Sequence, residues 1–87
     1  MRIEDCNTKE KLVAFLGQLG EDIDKDLFQQ IVQKALGFGI SNVLLAKEFQ
    51  VTTGSIGRWS SGKTAPHPVG RPPVAKHLVT LLQAVPA

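Results

Sequence analysis

Few side chains in this chain can act as nucleophile, acid–base catalyst or metal ligand, so their spacing decides what chemistry is open. Cys6 is the lone cysteine, and the two histidines, His67 and His77, stand ten residues apart with no helix-face relation. Cys6 has no cysteine or histidine at ligand spacing, so the ligands for a zinc site are missing. Neither histidine falls in a recognisable nucleophile pairing, and Cys6 sits near a terminus read as mobile. The acids of the first half crowd the starts of helices rather than forming a paired catalytic set. The expectation is therefore not an enzyme, with no catalytic residue, no metal and no cofactor. What stands out is basic charge. Residues 1–33 carry four basic and seven acidic side chains, net −3, whereas residues 34–87 carry six basic and one acidic, net +5. No acid follows Glu48, and Arg58, Lys63, Arg71 and Lys76 lie in that last stretch. A half-chain stripped of carboxylates suits a polyanionic partner.

These residues must be positioned by one small domain, because 87 residues leave no room for a second core. Apolar residues are 43% and charged ones 21% of the chain, the balance of a globular protein. The longest apolar runs, 43–46 and 81–85 with one glutamine inside, are too short to span a bilayer. The start "MRIEDCNTKEK" lacks the apolar core of a signal peptide, and one cysteine cannot form an internal disulfide. A soluble, cytoplasmic protein is expected.

The periodicity is helical throughout, and no run alternates as a strand would. Thr8 can cap a first helix with stripe Leu12, Phe15, Leu16 and Leu19, stopped by Gly20. Asp22 or Asp24 can cap a second, whose acids lie where the helix dipole favours them and whose stripe is Leu27, Ile31, Ala35 and Phe38. Ser41 caps a short third helix with Leu44, Leu45 and Phe49 for the core and Ala46 where another helix can come close. Thr52 caps a fourth over 53–61, with Gly62 as the left-handed residue past its end. At 100° per residue, Ile56 and Trp59 face inward while Gly54, Gly57, Arg58 and Ser61 face outward, so that face is nearly bare apart from one arginine. The segment "KTAPHPVGRPP", with four of the five prolines, reads as irregular. Pro72 or Pro73 then starts a last helix with stripe Val74, Leu78, Leu81, Leu82 and Val85. The fold class is all-α, about five short helices, with no internal repeat.

The stretch "SNVLLAKEFQVTTGSIGRWSSGKTAP" resembles the helix-turn-helix of the repressor and Cro-like group, the XRE-type regulators. With the motif starting near Asn42, Ala46 falls at its small fifth position, Val51 at the tenth in the turn, and Ile56 and Trp59 at the inward fifteenth and eighteenth. Gly62, Lys63 and Pro66 match the signature that follows the recognition helix. The resemblance covers about residues 24–85, with the motif about 41–61, and leaves residues 1–23 as an extension with an added helix. It implies a lambda repressor-like domain. Gln50 stands at the ninth position, where the family usually has glycine because the backbone is left-handed, and the connection "APHPVGRPP" is longer than usual.

The resemblance also implies a function: sequence-specific binding of double-stranded DNA as a small transcriptional regulator, with the helix over 53–61 in the major groove. Arg58 is the residue expected to pair bidentately with a guanine. Thr53, Gly54, Ser55, Gly57 and Ser61 would border base edges, Thr53 able to meet a thymine methyl. Asn42, Thr52, Lys63, Thr64, His67 and Arg71 would contact phosphates. A homodimer is implied, through the added helix or through Leu81, Leu82 and Val85 of the last one, with no small-molecule ligand and with the protein on the nucleoid when bound. The triplet "GRP" at 70–72 resembles the core of an AT-hook but lacks its basic flanks. The competing reading is a protein-interaction module, an adaptor or antitoxin-like regulator that keeps a helix-turn-helix core.

Overall fold

The computed structural model describes residues 2–20 and 22–84. Among them lie five α-helices and no strand: α1 Lys9–Gln18, α2 Lys25–Gly37, α3 Asn42–Glu48, α4 Thr53–Ser61 and α5 Arg71–Ala84. Two single 3-10 turns, Ile3–Asp5 and Pro68–Gly70, precede α1 and α5. Four helices start on the expected caps. The side chains of Thr8, Asp24, Ser41 and Thr52 accept from the backbone N–H three residues on, at 3.1, 2.7, 3.0 and 3.1 Å, each satisfying a donor that the first helical turn leaves unpaired. Of the two aspartates proposed for α2, Asp24 does this work.

One apolar cluster runs through all five helices, and among the described residues it encloses no polar or charged side chain. α2 lies centrally, touching α4, α5 and the N-terminal turn, while α1 covers α5. Because α2 is packed on several sides, its buried arc is Phe28, Ile31, Val32 and Ala35. This corrects the expected stripe: Leu27 and Phe38 are half-buried at its edges. The N-terminus is corrected too. The Ile3–Asp5 turn packs on α1 and α2 and sends Ile3 and Cys6 into the core. The Cys6 Sγ lies 3.7 Å from the carbonyl oxygens of Arg2 and Lys11. Burial pushes this thiol above its ordinary value, with nearby Lys34 acting against the shift, so it stays protonated at neutral pH.

The proline segment is more ordered than its composition suggests. His67 Nδ1 accepts from Val69 N at 3.3 Å, and the Pro68–Gly70 turn leads straight into α5. That helix starts at Arg71, so Pro72 and Pro73 fall in the first turn, where a missing N–H costs nothing. Ala75, Leu78, Leu81 and Leu82 are buried. Leu81 and Leu82 therefore belong to the protomer's own core rather than to a partner copy; Val85 lies outside the described residues. No helix of the described residues is long and apolar enough to cross a membrane.

Candidate nucleic-acid interface

α3 and α4 are joined by a tight connection whose backbone the sequence only half encodes. Gln50 has φ 55°, the left-handed conformation, at a cost of about 1 kcal/mol for a residue with a Cβ. Val51 N donates to Ala46 O at 2.9 Å and closes the turn, after which Thr52 caps α4. Ile56 is fully buried and Trp59 half-buried. The Trp59 ring meets Phe28 of α2 edge-on, 5.5 Å between centroids at 74°, and Phe49 at 6.2 Å and 51°.

The C-terminal end of α4 is fixed by residues that the sequence did not single out. Gln29 and Gln33, four apart on α2 and so on one face, both donate Nε2 to the Ser60 carbonyl, at 3.3 and 2.6 Å. Gly62 N donates to Trp59 O and Lys63 N to Arg58 O, at 3.3 and 3.0 Å, the pairing of a left-handed glycine stop. Gly62 has φ +82°, and a Cβ there would lie 2.7 Å from Gln29 Oε1. Gly62→Ala should therefore destabilise the fold by about 1 kcal/mol through left-handed strain, and by more once the displacement of Gln29 is added. A Cβ added at Gly57 would meet only open space, so Gly57→Ala should stabilise by about 1 kcal/mol through helix propensity. Urea unfolding of the two variants checks these opposite signs; equal shifts would refute the account.

With α4 seated in this way, its outer side is bare. Asn42, Thr52, Thr53, Gly54, Arg58, Ser61, Lys63, Thr64 and His67 are exposed, and Ser55 and Gly57 partly so. Arg58 folds back along the helix, its Nη2 donating to Ser55 Oγ at 3.1 Å, and Ser55 Oγ lies 3.1 Å from Thr52 Oγ1. The Ser61 hydroxyl donates back to its own helix, to Arg58 O at 3.1 Å. Among the described residues no carboxylate lies within ion-pair distance of Arg58 or Lys63; the close pairs are Arg2 with Glu4 at 3.4 Å and Glu48 with His77 at 3.2 Å.

No protein family, curated protein or solved structure matches this chain. Arg71 does not belong with the outer side of α4: its Nε donates to Pro66 O and its Nη1 to Ile23 O, both at 3.0 Å. Arg71, expected on a phosphate, ties the α1–α2 connection to the proline segment through these two bonds. The "GRP" triplet is likewise the end of a 3-10 turn and the first turn of α5, not an extended insert for a minor groove. A hollow of about 460 Å³, lined by Glu4, Asn7, Gln30, Gln33, Lys34, Gly37 and Phe38, lies between the N-terminal turn and α2. It holds no pairing of nucleophile and base. Among the described residues no three His, Cys, Asp or Glu side chains cluster as metal ligands would.

Proposed function

We propose that the chain binds double-stranded DNA by laying α4 in the major groove, as a small repressor or Cro-like transcriptional regulator of the cytoplasm and nucleoid. The observation that carries this reading is the outer face of α4, reduced to glycine, small hydroxyls and one arginine without an acidic partner among the described residues. Gly54 and Gly57 each cost about 1 kcal/mol of helix stability relative to alanine. A helix backbone that must come close to base edges is a physical reason to carry that cost. In this reading Arg58 takes a guanine, Thr53 meets a thymine methyl, and Asn42, Thr52, Lys63, Thr64 and His67 hold phosphates. The Thr52 and Ser55 hydroxyls share one hydrogen bond, so one of their two hydrogens stays available to an acceptor on the duplex.

One short helix gains sufficient affinity when a twofold dimer places two copies about one helical turn apart, so a homodimer on DNA belongs to the proposal. Titration of duplex pools at rising salt tests both parts. Binding should weaken linearly on a logarithmic scale with a slope of about −2 to −4 for two chains, each neutralising one or two phosphates, at two chains per duplex. Absence of binding at low salt rejects the reading; one chain per duplex rejects the dimer. The rival, a protein-interaction module, has in its favour the exposure of Val43, 69%, and Val69, 76%. Isolated valines are ordinary on a surface, and α4 presents no outward aromatic, Met or Leu of the kind that anchors protein interfaces.

A further inference from the structure

We infer that Ser55 determines base specificity through Arg58: its hydroxyl holds the guanidinium so that one bidentate edge is presented to a single guanine. The inference rests on the duplex reading above and changes the role of Ser55 from a residue bordering the bases to one that aims another. A guanidinium has only donors, so in the 3.1 Å contact between Arg58 Nη2 and Ser55 Oγ the serine oxygen accepts. Ser55 Oγ is itself tied at 3.1 Å to Thr52 Oγ1, which accepts from Ser55 N at 3.1 Å as the cap of α4. The arginine is thus anchored through two hydroxyls to the helix backbone.

Among the described residues no other side chain bonds the guanidinium. The positive end of the helix dipole disfavours a cation near the first turn, yet a Cβ on Gly54 would lie 3.5 Å from Arg58 Nη1. The guanidinium therefore lies over that turn, against a position with no side chain. Two bidentate edges of a guanidinium, Nε with Nη2 and Nη1 with Nη2, share Nη2. The hydrogen given to Ser55 belongs to one edge, and the other remains whole. Guanine O6 and N7 need one such edge. Fixing the side chain before contact also removes an ordering cost from binding.

The test uses the wild-type chain with Ser55→Ala, Ser55→Thr and Arg58→Ala. A preferred duplex is selected from a random pool, and the ratio of Kd values is measured for guanine against adenine at the position where Arg58→Ala stops discriminating. Ser55→Ala should lower that ratio about two- to tenfold while the salt slope and Tm stay as in the wild type; Ser55→Thr should restore it. Without DNA, the Arg58 guanidinium nitrogen resonances should show slowed rotation in the wild type and Ser55→Thr and averaging in Ser55→Ala. If Ser55→Ala discriminates as the wild type does while Arg58→Ala does not, the inference is overturned and the duplex reading stands. Absence of salt-dependent duplex binding overturns both.

Discussion

Phe28→Ala should lower the unfolding free energy by about 4 kcal/mol, within the range for emptying a buried aromatic site, read as a fall in the urea midpoint at unchanged slope. Phe28 is completely buried, and its loss also removes the edge-on partner of Trp59 at 5.5 Å, a contact worth about 0.5 to 1.5 kcal/mol beyond area burial. A chain of 87 residues has a total stability of roughly 4 to 13 kcal/mol at the usual value per residue, so the variant should lose between about a third and all of it. Trp59→Ala acts on the same pair from the other side but starts half-buried, so its cost should fall near the lower end, about 3 kcal/mol. Leu27→Ala, at a half-buried position, should cost about 1 to 2 kcal/mol, because less apolar area is lost. A larger effect at Leu27 than at Phe28 would return the buried stripe of α2 to the register that the sequence suggested.

That register shows where sequence reading stopped. Leu27 and Phe28 are adjacent and both apolar, and a period of 3.6 fits a stripe from either one; only the packing of α4, α5 and the N-terminal turn around α2 selects Phe28. The caps were legible because each is a local event: a hydroxyl or carboxylate meets an N–H three residues away. The same holds for the inward pair Ile56 and Trp59, for the exposed Arg58, and for the left-handed Gly62. The Ile3–Asp5 turn was not legible, since three residues carry no periodicity. The internal bonds of Arg71 were hidden for a different reason. Its charge looks like that of a ligand, but one acceptor is a carbonyl 48 residues away, and a carbonyl leaves no trace in the sequence. Gln29 and Gln33 bind the Ser60 carbonyl from 31 and 27 residues away. Contacts to distant backbone are what a single sequence hides.

Arg58→Ala should leave the fold intact and relax base preference at one or two positions of a selected duplex by about 1 to 3 kcal/mol, roughly five- to 150-fold. The fold is spared because Arg58 is exposed and the bond its side chain makes within the protein is to Ser55, while the cap and the Gln29–Gln33 seat of α4 do not involve its side chain. Preference falls because no other long side chain lies on the outer face of α4: Gly54, Gly57, Thr53 and Ser61 cannot span both acceptors of a guanine. Lys63→Ala supplies the contrast. A point charge beyond the end of α4 contributes to the phosphate term, so its loss should weaken all duplexes alike and reduce the salt slope by about 0.9 for each copy bound. Competition selection and salt titration on the two variants separate the roles. Should Lys63→Ala change base preference while Arg58→Ala weakens all sequences equally, the groove is read from the loop after α4, and the bare outer face of that helix would need another explanation.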